Sequence, residues 1–156
     1  KVQIQNNTYR NQKIQDIVNM LKDKRILILT KLIEHGDMIH QMMPGSKHLY
    51  GTTNKEERKQ MMDNFKDGKF NVLISTISIF SEGIDLPFLS VIISAGGHKS
   101  GLKTVQMLGR VLRTLSGKSD AVYIDFLDSH KMFKSASKAR MKILAKEGHE
   151  VQVIKE

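Results

Sequence analysis

The segment Gln106-Met-Leu-Gly-Arg110-Val-Leu-Arg113 holds the side chains best suited to grip a charged ligand. On a helix, at about 100° per residue, Val105, Leu108, Leu112 and Leu115 share one apolar stripe. Gln106, Arg110 and Arg113 gather on nearly the opposite side, with Gly109 beside them. Such a face does not serve stability. Two arginines at i, i+3 repel by about 0.2–0.5 kcal/mol, and a glycine inside a helix costs roughly 1 kcal/mol against alanine. An anion accounts for both features. Gly109 would let a phosphate or a facing backbone come close, and the two guanidiniums would grip it in a planar, bidentate way. The plain alternative is a solvated basic face. The position of the helix, after a core strand and a glycine-rich turn, favours the anion.

Two further stretches bear on the same chemistry. In Gly83-Ile-Asp85 a glycine in a post-strand loop permits close approach, and the carboxylate can accept hydrogen bonds from ribose hydroxyls. By itself that tripeptide reads first as a turn whose Asp caps a backbone group. Gly96-Gly-His-Lys-Ser-Gly101-Leu-Lys103-Thr104 has the layout of a phosphate loop between a strand and a helix. Leu102 is one residue too many, however, and rotates Lys103 about 100° away from where the phosphates would lie. The loop is read as a turn with backbone donors on which Lys99, and His98 beside it, can touch a phosphate. An independent phosphate-loop enzyme is the minor reading. Asp125 ends Val122-Tyr-Ile-Asp125, a faint likeness to a metal-binding acid pair, but Phe126 follows where a second acid is wanted. The chain thus offers arginines for a terminal phosphate and no cradle for the others.

Positioning these residues requires a scaffold. Ile14, Ile17, Val18 and Leu21 recur at helical spacing, which predicts a helix over 8–22. Residues 25–30 form an apolar run suited to a strand covered on both faces. A second helix, with Leu32, Gly36, Ile39 and Met43 on one side, ends at Pro44-Gly45. A short strand follows at 48–50. Thr53 and Glu56 have capping-box spacing for a helix that carries Met61, Met62 and Phe65 inward and stops near Asp67-Gly68. Further strands are expected at 70–76, 89–95 and 121–127, and helices over 101–115 and 131–146. The last helix places Met132, Ala136, Ala139 and Ile143 on one stripe, and 150–154 could close the sheet. This alternation implies one α/β domain with right-handed crossovers and a mainly parallel sheet. Ligands on such sheets bind where the strands end, so Thr30-Lys31, Gly51-Thr52, Ser75-Thr76, Gly96 to Lys99 and Asp128 are the positions to test.

Composition narrows the class. The 156 residues carry 25 Lys and Arg against 16 acids, a net charge of +9. That balance favours polyanionic partners, though a lysine-rich soluble protein has it too. No cysteine is present, which excludes disulfides and thiolate metal sites. The six histidines are scattered; His35 and His40 are five apart and do not share a helical face, so no metal site is read. The nine methionines fall mostly on apolar stripes and read as packing. No run approaches the ~20 apolar residues of a membrane span. Lys1, with no initiator Met and no apolar leader, suggests a piece excised from something longer, and the lack of cysteine fits a reducing cytoplasmic setting.

At these residues the chain resembles the carboxyl-terminal RecA-like domain of superfamily 2 helicases, with particular likeness to the phage recombination-repair helicases of the UvsW type and the XPB-like group. The resemblance covers roughly residues 25–127. Ile26 to Lys31 looks like motif IV. Gly51-Thr-Thr-Asn-Lys-Glu-Glu-Arg58, then Phe65 and Gly68, looks like motif IVa. Val72 to Thr76 through Glu82-Gly83-Ile84-Asp85-Leu86-Pro87 looks like motif V, and Gln106 to Arg113 looks like motif VI. The resemblance implies a three-layer RecA-like αβα fold and an ATP-dependent DNA repair or recombination helicase that clamps ATP between two such domains. A first RecA-like domain, absent from this chain, would bring most of the ATP and Mg²⁺ contacts. Arg110 and Arg113 would be arginine fingers, and Gly83, Asp85 and Gln106 would contact the nucleotide. Thr30, Lys31, Gly51, Arg58, Thr76 and Lys99 would hold a sugar-phosphate backbone. Few aromatics (three Tyr, six Phe, no Trp) suit backbone gripping better than base stacking. Ser81-Glu82 stands where DEAD-box RNA enzymes usually carry Ala-Arg, and Gln106 where they carry His; both departures lean toward DNA, in a bacterial or phage-infected cell. The alternative is a nucleic-acid-binding module with no enzymatic role.

Overall fold

The computed structural model describes residues 6–80, 86, 88–96, 106, 108 and 121–154, without the side chains of Phe80 and Met132. Five short apolar runs form one sheet. Helix α1 is Thr8–Met20, strand β1 Ile26–Thr30, α2 Ile33–Met42, β2 Lys47–Leu49, α3 Lys55–Lys66, β3 Val72–Thr76, the single turn α4 Ile77–Phe80, β4 Val91–Ser94, β5 Val122–Ile124 and α5 Lys131–Lys146. The strands lie in the order β2-β3-β1-β4-β5, and every pairing is parallel.

Alternation along the central strand sets the layers. Ile26 and Ile28 pack with Ile14 and Val18 of α1 and Ile39 of α2. Leu27 and Leu29 point the other way, into a cluster with Leu49, Phe65 of α3, Leu73, Ile92 and Leu108. All five residues of β1 are buried, as a strand sandwiched between two helical layers must be. Each fully buried isoleucine or leucine among them contributes about 1.5–3 kcal/mol. Leu108 is in a helix and 3% exposed, as its place on the apolar stripe requires. Met43 is buried and Met42, Met61 and Met62 pack against the clusters, but Met20 at the end of α1 is 81% exposed.

Two helix ends share one device. After α3, Gly68 adopts φ +78; its N–H donates to Phe65 C=O and that of Lys69 to Asn64 C=O. After α5, Gly148 adopts φ +90, with Gly148 and His149 N–H donating to Ala145 and Leu144 C=O. Both are Schellman stops, which need the left-handed conformation that glycine adopts without strain.

The strands expected at 48–50, 70–76, 89–95 and 121–127 are Lys47–Leu49, Val72–Thr76, Val91–Ser94 and Val122–Ile124, and three further expectations shift. Helix α3 is capped by Asn54, whose side chain accepts from the Glu57 N–H at 2.9 Å; Thr53 accepts instead from the Tyr50 N–H at 3.4 Å. Asn is at least as good a cap as Thr, so the start moves by one residue. In α5 the buried residues are Ala136, Ser137, Arg140 and Leu144, whereas Ala139 and Ile143 are only half-buried. A polar partner below the helix, described next, rotates the inner face toward Arg140. Residues 150–154 add no strand; Val151, Val153 and Ile154 are exposed. Alternation alone does not make a strand, and these residues pair with neither edge strand, β2 or β5. Among the described residues no helix is long and apolar enough to cross a membrane.

Candidate functional site

Parallel pairing brings the strand ends together. Thr30 and Thr76 are register partners at the ends of β1 and β3, and Leu49 of β2 pairs with Ser75. Gly51 therefore follows just past the same edge. On the other side Ser94 of β4 pairs with Leu29, and the Ala95 N–H donates to Leu29 C=O at 2.8 Å. The chain leaves β1 toward β2 and leaves β4 toward β5, so the switch in winding falls between them. Ligands on open parallel sheets bind at such a point, which in this strand order lies between the ends of β1 and β4, at Thr30-Lys31 and Ala95-Gly96.

The side chains on this edge differ in what they can offer. Thr30 is fully buried and its hydroxyl donates to Leu32 C=O at 3.1 Å. Thr76 is 6% exposed, with its hydroxyl 3.2 Å from that of Ser78. The Thr30 bond ties down the turn after β1, whereas the Thr76 hydroxyl is engaged with that of Ser78 at the start of α4. Lys31 carries an exposed charge and Gly51 an exposed backbone, with open space where a Cβ would stand. Arg58 is half-buried on α3. Gln106 is half-buried and donates to Glu147 at the end of α5, at 3.4 Å. Gly83, Asp85, Lys99, Arg110 and Arg113, with the near phosphate loop over 97–104, lie outside the described residues.

Two buried arginines, not anticipated from the sequence, organise the right-hand part of the edge. Arg10 of α1 is 7% exposed. It donates to Ala95 C=O at 3.3 Å, pairs with Asp128 and lies over the Phe126 ring at 5.0 Å. Its neighbour Asn11 accepts from the His35 ring at 2.9 Å. Helix α1 thus braces the residues leading into the loop after β4 and the start of α2 behind Lys31. Arg140 is 1% exposed and donates to both carboxylate oxygens of Asp125, at 2.6 and 3.1 Å. The Phe126 N–H also donates to Asp125, at 2.8 Å. Burial pushes the Asp125 carboxyl up, and the hydrogen bonds and charge of Arg140 pull it back. Asp125 is therefore engaged structurally, and its faint likeness to a metal-binding acid has no support in the geometry. A signal was available. Arg10 stands four residues before Ile14, and Arg140 lies midway between Ala136 and Leu144. An arginine at core spacing on a helix marks a buried partner. Among the described residues no three of His, Cys, Asp or Glu gather to hold a metal.

A model of the helicase conserved C-terminal domain matches residues 10–114, most of this sheet and its crossovers. The chain belongs to that family. This helicase C-terminal domain is 28% identical over 108 residues to the DNA 3'-5' translocase XPB2 of Sulfurisphaera tokodaii, covering 69% of this chain and 24% of that protein. It is 29% identical over 112 residues to the ATP-dependent DNA helicase uvsW of Enterobacteria phage T4, covering 69% of this chain and 22% of that one. The domain thus spans a quarter or less of these relatives. One relative, from Acanthamoeba polyphaga mimivirus and 26% identical over 147 residues, is named as a putative ATP-dependent RNA helicase. In three dimensions it matches T4 UvsW with TM-score 0.68 and 24% identity, over 88% of this chain and 32% of that one. It matches a DEAD box protein of the hyperthermophile Methanococcus jannaschii with TM-score 0.71 and 19% identity, over 96% and 40%. The fold is the RecA-like αβα domain with its all-parallel sheet.

Proposed function

We propose that this domain is the second half of an ATP-dependent helicase or translocase that tracks along DNA. Its membership of the helicase C-terminal family supports that reading, and so does the alignment of Lys31, Gly51 and Thr76 along one sheet edge. In this reading Lys31 and the amides near Gly51 hold the phosphates of one strand, with Arg58 and Lys99 adding charge. Thr30 and Thr76 shape the turns that present them. Contacts of this kind are independent of base sequence and weaken with salt. The choice of DNA over RNA rests on Ser81-Glu82 and Gln106 and on the likeness to XPB2 and UvsW.

ATP with Mg²⁺ supplies the phosphoryl transfer whose turnover drives the motion. The described residues fit a partner to that group rather than its main holder: no carboxylate cluster suits Mg²⁺, and Asp125 is taken by Arg140. A first RecA-like domain would carry the rest. On closure, Arg110 and Arg113 would reach the terminal phosphate and Gly83, Asp85 and Gln106 the sugar side. Arginine fingers contribute about 10³–10⁵ in kcat. Opening and closing of the two domains would then move the strand contacts stepwise.

The test is steady-state ATP hydrolysis by the full-length protein with single-stranded DNA or RNA added. Arg113→Ala is expected to lower kcat about 1000-fold, and DNA to stimulate more than RNA. Normal turnover in that variant would remove the finger assignment.

A further inference from the structure

The outer face of α5 is a line of lysines. Lys131, Lys134, Lys138, Lys142 and Lys146 follow one another by three or four residues, so they share one side of the helix. All five are exposed. The opposite side buries Ala136, Ser137, Arg140 and Leu144. The helix has 16 residues and contains no acid, which makes the line roughly 22 Å long at 1.5 Å per residue. Among the described residues none of the five lysines has an ion-pair partner. The arrangement opposes the helix that carries it. Like charges at i, i+4 are unfavourable, and Lys131 and Lys134 stand in the first turn, where the helix dipole disfavours cations. A matching line of anions would relieve both.

The chemistry of the face selects the anion. Lysines act as point charges without the planar fork that reads a single group. The outer face otherwise shows Ser135 and Ala145, with no aromatic ring on which a base could stack. The apolar side of α5 is spent on the domain, so the helix has none to insert into a lipid surface. A nucleic-acid duplex presents a charge about every 1.7 Å of its axis and is stiff over this length. We propose that α5 is a docking strip for the phosphate backbone of duplex DNA. It is distinct from the strand-end site but begins beside it, since α5 starts just after Asp128 at the same sheet edge. The inference rests on the proposed function only in taking nucleic acid as the partner.

The experiment uses the full-length protein with Lys134, Lys138 and Lys142 all changed to Gln. Binding to a blunt DNA duplex is followed by fluorescence anisotropy across salt concentrations. Each phosphate contact contributes about 0.9 to the slope of log K against log salt, so the slope should fall by roughly 2–3. Single-strand affinity, ATP hydrolysis stimulated by single strands and Tm should stay unchanged, or Tm should rise. An unchanged duplex slope overturns the proposal. An equal fall in single-strand affinity overturns it too, because the strip would then belong to the single-strand path. Lys31→Ala serves as the contrast: it should weaken single-strand binding and leave the duplex slope alone. If single strands neither bind nor stimulate, the strand-end reading fails, while the duplex slope still decides α5.

Discussion

A buried imidazole is costly to charge. His35 is 2% exposed, and burial, together with the nearby Arg10 charge, pulls its pKa from 6.5 to about 4. Its ring N–H donates to Asn11, a bond the neutral form makes fully. Between these pH values the unfolded chain takes up a proton that the folded chain refuses. The stabilisation is therefore complete above about pH 6.5 and is lost as pH falls toward 4, a span worth roughly 3 kcal/mol. Burial lowers His48 as well, partly offset by Asp37, so the comparison must be between variants. His35→Gln keeps a donor for Asn11 and removes the titration. Its unfolding free energy, measured by urea titration from pH 7 to pH 4, should fall less steeply than that of the parent; equal slopes would show that His35 is not the source.

Among the elements, α2 and β2 are locked by one glycine. A Cβ on Gly36 would lie 2.2 Å from His48 Nε2. That ring is held in place by Asp37 at 2.8 Å and by the edge of Tyr50, 5.0 Å between centroids. In an open helix Gly→Ala stabilises by up to about 1 kcal/mol. Here overpacking costs about 1–3 kcal/mol, so the sign reverses. Gly36→Ala should lower the urea midpoint, and adding His48→Ala should recover it. Because β2 leads directly into Gly51, the same substitution should loosen the turn proposed to hold phosphates. Hydrogen exchange at the amides of Tyr50 to Thr53 would record that loosening.

At the scale of the whole molecule, the domain covers a quarter or less of the relatives named above, and in the proposed function it supplies only part of a nucleotide site. The isolated domain is expected to fold, since its sheet is covered on both faces, yet to hydrolyse ATP negligibly. Joining it to the first RecA-like domain should bring turnover above background by orders of magnitude. ATP binding by the isolated domain that is lost in Lys103→Ala would instead revive the loop over 96–104 as a phosphate cradle. The net charge of +9 becomes informative only at this scale, because five of those cations fall on one helix side.

The layering, the parallel sheet and nearly every strand and helix of the described residues were legible in the sequence, since apolar periodicity is a local record of which faces are buried; the helix expected over 101–115 lies outside them except at 106 and 108. The end of α3 at Asp67-Gly68 was legible too, because a left-handed stop calls for glycine. The placement of buried charge was not. Helical spacing places Arg10 and Arg140 on inner faces, but it does not say that Asp128 and Asp125, 118 and 15 residues away, are the groups brought against them. Likewise the exposure of Lys31 and the burial of Thr30, adjacent in the chain, follow from how the chain leaves β1. Local pattern tells which side of an element is apolar. Only the packing of distant elements decides which polar groups lose water and must find each other.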